Sequence, residues 1–210
     1  MFHLRHPLAL AALAAVLLYG MPSQAQSIID EWQSVQAPPA PQLTDVTVDP
    51  KTTALLMLDF LKQNCGPNPR CIASLPKVQK LLAAARAKDL TVVYTNYPST
   101  VIADTLPEVA PKGTEPTVTA FLDKFDGTDL DKILKDKGIK TVIVVGSAVN
   151  GAVLYTGTSA FFHKYQTIIA VDGVSGKTPY IEQYSIYNFI SAPVMGGKVT
   201  LTRTDMIKFQ

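Results

Sequence analysis

The chain predicts an α/β fold: a mostly parallel sheet with helices on both faces, in three layers. Three observations carry this. Ala54–Leu58 and Thr141–Val145 are continuous apolar runs of the kind that strands buried on both faces require. Between and after them, helical stripes alternate with further strand-like runs, the pattern of βαβ units. Finally, the two runs end on chemistry: Asp59 closes the first, and the second opens into Gly146-Ser147-Ala148-Val149-Asn150-Gly151-Ala152 before a helical pattern. In open parallel sheets, ligand sites form at that carboxyl edge. The 210 residues, 47% hydrophobic and 17% charged, suffice for one well-buried domain.

Taken in order, Arg5 precedes an apolar stretch, Leu8–Leu18, and then Ser23-Gln24-Ala25, which sets small residues before a cut at Gln26. That is a secretory signal over residues 1–25; its apolar core falls short of the roughly 18 residues a membrane span needs. The expected location is periplasmic or secreted, with no membrane association after cleavage. Residues 26–45 read as an extension whose Ala37-Pro38-Pro39-Ala40-Pro41 is stiff and extended, and 46–210 as the domain. Val46–Val48 is a first short strand and Ala54–Leu58 the second. Pro76 is expected to start a helix carrying Val78, Leu81, Leu82 and Ala85 on one face, and Leu90–Tyr94 returns as a strand.

Pro98–Val118 has no clear period and is longer than a plain connection, as loops that cover sites or meet partner subunits are. Leu130, Ile133 and Leu134 form the next stripe, ended by Gly138 as a left-handed cap. After the Thr141–Val145 strand come a helix over Gly151–Lys164, a strand over Thr167–Val171 with Asp172 as a turn or cap residue, a Tyr-rich helix from Pro179, and a last strand at Val199–Leu201. Tyr180, Tyr184 and Tyr187 share one face of their helix, which suits packing or a subunit contact in a homo-oligomer.

Several classes are set aside. With 19 basic and 17 acidic residues and no basic cluster, an electrostatic footprint for nucleic acid is missing. Small molecules are the expected partners. Cys65 and Cys71 are the only cysteines, separated by the turn-rich Gly66-Pro67-Asn68-Pro69-Arg70, and in an oxidising compartment they are expected to form a disulfide. Two of three histidines leave with the leader, so a multi-histidine metal site is excluded and no metal or other cofactor is expected. The third, His163, lies late in its helix, where a favourable contact with the helix C-terminus is the simplest role.

Leu56-Met57-Leu58-Asp59-Phe60, Phe125-Asp126-Gly127-Thr128-Asp129-Leu130, and Val144-Val145-Gly146 with Asn150 and a following helix resemble the isochorismatase-like hydrolases, also called the cysteine hydrolase superfamily. The resemblance covers roughly residues 50 to 175 in order and spacing. It implies the three-layer fold and a hydrolase acting on a small amide, carbamate or enol ether. In the amidase members an Asp, a Lys and a Cys act together. Asp59 matches the first; an ungapped count from Phe125 puts Thr119 at the second; Ala152 stands at the third. Alanine cannot attack a carbonyl, so covalent acyl transfer of the family kind is not expected.

Acid–base chemistry at Asp59 remains, as in family members that lack the cysteine. Burial would raise its pKa toward a general acid, whereas a nearby cation such as Lys124 would lower it toward a base. Lys124 is either that cation or a solvated loop charge. Gly146 allows a sharp bend, and Gly151 and Ala152 would offer amides at a helix start to a carboxylate or oxyanion, or simply allow close packing. Asn150 either orients a ligand or caps the helix. The candidate catalytic residues are therefore Asp59 and Lys124, and the candidate binding residues Asn150, Gly151 and Ala152. A pocket that binds without turnover, or a protein of assembly, is the alternative.

Overall fold

The computed structural model describes residues 27–210, so the leader expected over residues 1–25 lies outside the described residues. Two compact units part after Pro39. In the first, the single helical turn α1 (Ile28–Glu31) starts at Ser27, whose hydroxyl accepts from the Asp30 amide while the Asp30 carboxylate accepts from the Ser27 amide, a reciprocal cap.

The second unit, Ala40–Gln210, holds the sheet. Its elements are β1 (Val46–Val48), β2 (Thr53–Leu58), α2 (Pro69–Ala87), β3 (Thr91–Asn96), β4 (Thr117–Thr119), α3 (Leu130–Asp136), β5 (Thr141–Ser147), α4 (Leu154–Phe162), β6 (Gln166–Ser175), α5 (Pro179–Ser191), β7 (Thr200–Thr202) and β8 (Ile207–Phe209). Six strands form an all-parallel sheet in the order β4-β3-β2-β5-β6-β7. From β2 the chain winds outward to β3 and β4, then returns to lay β5 on the other side of β2. The order therefore reverses between β2 and β5, the switch point at whose carboxyl ends open α/β sheets place their ligand sites.

Alternation along the central strands builds two cores. Ala54, Leu56 and Leu58 of β2, with Val142 and Val144 of β5, pack beneath Leu130 and Leu134 of α3, Ala160 of α4 and Phe189 of α5. Leu55, Met57, Ile143 and Val145 face Leu75, Val78, Leu81, Leu82 and Ala85 of α2. Every residue of β2 and β5 is buried, which explains why both runs read as unbroken apolar stretches rather than alternating ones. The three-layer expectation holds.

Some local expectations are corrected. The helix expected to begin at Pro76 begins at Pro69: Asn68 accepts from the Arg70 amide as its cap, and Pro69 occupies the first turn, where a missing N–H costs nothing. Pro76 lies inside that helix on its exposed side. Asp172 is no turn residue. It sits in β6, which runs on to Ser175 past an irregularity in its pairing with β5, and it accepts from the Thr204 amide and hydroxyl at 2.8 and 3.2 Å. Val46–Val48 does not join the main sheet but pairs with β8, a strand the sequence reading passed over. The long segment after Pro98 contains two short 3-10 turns and the edge strand β4, and it packs onto the end of β2: the Leu106 amide donates to the Phe60 carbonyl, and Leu61 pairs with Thr105. His163, the residue after α4, pairs with Asp131 at 3.2 Å and stacks on Phe125 at 4.6 Å.

Candidate active site

Asp59 is the first residue past β2, and its backbone is left-handed, with φ of 51°. Such a conformation is uncommon outside glycine, though aspartate tolerates it better than most, and it turns the side chain out of the strand's alternation. The next strand supplies a partner in register. Met57 pairs with Tyr94, so Thr95 comes beside the end of β2. The Thr95 hydroxyl accepts from the Asp59 amide at 3.2 Å and donates to Asp59 Oδ1 at 2.5 Å.

The other carboxylate oxygen faces a cation. Lys124 Nζ lies 2.8 Å from Asp59 Oδ2, with residue exposures of 0% for Lys124 and 3% for Asp59. The ammonium also donates to the carbonyls of Asn96, Ala120 and Phe121 at 3.2, 2.7 and 2.9 Å. A lysine has three protons to give, and here four oxygens share them. Lys124 thus has no spare proton for a ligand; its effect runs through Asp59.

The segment that carries Lys124 is held from both ends. Its amide donates to the Thr156 hydroxyl at 3.1 Å, and its carbonyl accepts from the Thr128 hydroxyl at 2.5 Å. Thr128 in turn accepts from the Leu130 amide at the start of α3. This gives Thr128 of the Phe125–Leu130 segment a physical purpose: it locks the turn that buries the lysine. Of the two alternatives for Lys124, a solvated loop charge is ruled out. Thr119, where the ungapped count pointed, is exposed on β4 and donates to Asn96 Oδ1.

Burial dominates the electrostatics of the pair. Desolvation pushes the Asp59 carboxyl above its ordinary value against the opposing pull of Lys124 and Thr95. Desolvation likewise pushes the Lys124 ammonium down, against Asp59. The two expected effects on Asp59 therefore both operate, and burial is the larger. The acid and the base are brought closer together than they would be in water.

Across the crevice, Gly146 pairs with Leu58, so the turn at the end of β5 stands beside Asp59. Gly146 has φ of 154°, and a Cβ there would lie 2.4 Å from the Leu58 carbonyl oxygen. Its glycine is needed for that close approach of strands, beyond any bend. The chain then makes a wide π turn over Val149–Val153 before α4. Gly151 is not the free donor expected, because its amide closes the turn onto the Ala148 carbonyl at 3.0 Å. Asn150 is not a cap: the turn starts without a side-chain cap, and the half-buried Asn150 amide makes no hydrogen bond among the described residues. Ala152 is 4% exposed and packs in the core with Val149 and Val153. Among the described residues no His, Cys, Asp and Glu cluster could hold a metal ion, and no helix is long and apolar enough to cross a membrane.

The Isochorismatase domain model matches residues 53–203. The chain belongs to the isochorismatase family. An N-carbamoylsarcosine amidase of Arthrobacter sp. is 26% identical over 142 residues, 54% of this chain and 54% of its own length, so the chain spans about half of that curated relative. Among solved structures, an isochorismatase-like hydrolase from Alkaliphilus metalliredigens superposes with a TM-score of 0.66 at 26% identity, over 73% of this chain and 95% of its own. A cysteine hydrolase from Pseudomonas syringae pv. phaseolicola gives 0.67 at 21% identity, over 79% and 95%. Family membership confirms the resemblance and makes the chain one of the hydrolase family, whose members act on small molecules.

Two participants escaped the sequence reading. Thr95 and Asn96 end β3 in a Tyr-Thr-Asn sequence, and polar residues at the carboxyl end of a strand neighbouring Asp59 were the available signal. The carbonyls of Ala120 and Phe121 had none, since any residue type supplies a carbonyl.

Proposed function

We propose that this chain is an exported hydrolase of the isochorismatase family that cleaves a small amide or carbamate by direct attack of water, with Asp59 as general base. The observation that carries it is the buried, fully hydrogen-bonded Asp59–Lys124 pair at the crevice where the strand order reverses. Buried ion pairs are often no better for stability than apolar replacements, so their presence in a crevice favours a functional use. In the step proposed, Asp59 takes a proton from water, the water oxygen bonds to the carbonyl carbon, the C–N bond breaks, and the proton passes from Asp59 to the leaving nitrogen. The Asn150 amide would hold the substrate carbonyl. Burial, which raises the Asp59 carboxyl, makes its carboxylate form the stronger base, and the Lys124 contact at 2.8 Å holds that carboxylate in place; the runner-up class is enol ethers, for which the same residue would act as an acid. Export rests on the leader pattern, and the Cys65–Cys71 disulfide, with an S–S distance of 2.02 Å, suits it.

Ala152 favours a second reading, in which the pocket binds such a compound without turning it over. Asp59→Asn separates the two. Against a panel of small amides and carbamates, wild type should turn over at least one compound, and Asp59→Asn should bind it with similar affinity while losing turnover by about 100-fold or more, the usual worth of a general base. Turnover that survives the substitution overturns the hydrolase mechanism; ligand binding with no turnover in wild type selects the binder.

A further inference from the structure

The loop between Asp59 and α2 is joined to α2 by the Cys65–Cys71 disulfide and is tied to the ends of β5 and β6. Asn64 is the hub of those ties. Its Oδ1 accepts from the amides of Leu61 and Cys65 at 3.2 and 2.9 Å, which fixes its side chain to its own loop. Its Nδ2 donates to the Ser147 carbonyl at 2.9 Å, across to the end of β5. Further along, buried Asn68 donates to the Gly176 carbonyl just past β6. The disulfide joins Cys65, the residue next to Asn64, to Cys71 in the first turns of α2, and both cysteines are 0% exposed. The Cys65 amide also closes onto the Leu61 carbonyl at 2.9 Å, and the Asn68 amide onto the Cys65 carbonyl at 2.9 Å. Gly66 is required within this knot, because a Cβ there would lie 2.4 Å from the Lys62 carbonyl oxygen.

The turn that Asn64 holds is otherwise kept by core packing of Val149 and Val153, both 0% exposed, and by the Gly151 and Val153 amides closing onto the Ala148 carbonyl. Ser147 is the last residue of β5, and the five residues Val149–Val153 form a π turn with no side-chain cap. Beside it, the Asp59 carboxylate is fixed by Thr95 and Lys124, and the Asp59 carbonyl shares the Leu61 amide with Asn64 Oδ1, at 2.8 and 3.2 Å. The two sides are joined by the pairing of β2 with β5, which ends at Leu58 and Gly146, and past that ladder the Asn64 amide ties the loop after Asp59 to Ser147.

We infer that Asn64, anchored by the Cys65–Cys71 disulfide, is a positioning residue that holds the Ser147–Val153 turn against Asp59 for the reaction. The inference rests on the hydrolase reading for its consequence in turnover, and on the hydrogen bonds above for the coupling itself. Asn64→Asp breaks that contact: a carboxylate keeps the acceptor for Leu61 and Cys65, loses the donor to Ser147 and adds a negative charge, whereas Asn64→Ser shortens the side chain without charge.

The test combines amide hydrogen exchange on the whole protein with the pH profile of turnover, for wild type, Asn64→Asp, the Cys65→Ser/Cys71→Ser pair and Asp59→Asn. In Asn64→Asp, exchange of amides 148–154 should quicken about tenfold, the factor to which one hydrogen bond's net stabilisation corresponds, with β2 and β5 amides unchanged. The double serine variant should quicken amides 61–71 and 148–154 together. Turnover should fall in both; the Asp59 limb of the pH profile should stay in place in the double serine variant, which adds no charge, whereas the new carboxylate of Asn64→Asp should move it upward. Unchanged exchange in the turn, a uniform rise across the sheet, or wild-type turnover with a loosened turn overturns the inference. Failure of the hydrolase reading shows separately, as Asp59→Asn retaining turnover or as wild type having none; exchange in the turn then decides the coupling alone. A variant too unstable to purify is replaced by Asn64→Ser, held to the same outcomes for exchange and turnover.

Discussion

The two sides of the crevice are built from different materials. On the β2–β3 side, a carboxylate in a left-handed backbone, a hydroxyl, an ammonium and three carbonyls account for one another's hydrogen bonds with no exposure to speak of. On the β5 side stand a close-packed glycine, a π turn, an asparagine amide without a partner among the described residues and the buried methyl group of Ala152. One side stores charge and gives it no freedom; the other supplies shape and a donor. The comparison teaches that charge and shape are supplied by different elements: the end of β2 with its neighbours carries the buried pair, and the turn after β5 carries the close packing.

That contrast can be broken most forcefully at Lys124. Replacing it with methionine leaves Asp59 buried without its cation, and stability should fall by about 3–5 kcal/mol at neutral pH in denaturant unfolding. The sign of the pH dependence follows from the same cause. Burial already holds the Asp59 carboxyl above its ordinary value, and removing the cation raises it further. A carboxyl whose folded value exceeds its unfolded one favours folding while protonated, so the deficit should be least near pH 3.8 and below, and grow as pH rises through the folded value. A loss independent of pH would mean that the pair is not the buried charge system described.

The opposite side should respond in the opposite way. Asn150→Ala removes a half-buried amide that bonds to nothing among the described residues, so unfolding stability should change by less than about 0.5 kcal/mol. Affinity for an amide or carbamate ligand should nevertheless drop by about fivefold or more, as expected for one hydrogen bond. Equal effects of the two substitutions on stability would erase the distinction between the halves.

How much of this was legible beforehand follows the same division. Unbroken apolar runs at Ala54–Leu58 and Thr141–Val145 announced central parallel strands because both faces of those strands are covered, and Asp59 was conspicuous at the end of one of them. Lys124 was harder. A sequence shows a lysine in a polar loop, whereas its burial depends on carbonyls of Asn96, Ala120 and Phe121 converging from two separate segments. The same holds for the start of α2, where Asn68-Pro69 and Pro76 are both plausible openings and the cap decides. Backbone donors were misjudged for a related reason: whether the Gly151 amide is free depends on how the turn closes, and it closes on Ala148.

The account turns on what Asp59 does with a proton, and the pH profile of turnover on a compound from the amide and carbamate panel measures that most directly. With Asp59 as base, kcat/KM should rise with pH along a limb whose midpoint lies above 3.8, the ordinary value for this carboxyl, and the limb should vanish with Asp59→Asn. A limb that falls over that range, as a general acid would give, or a profile identical in the variant, would contradict it.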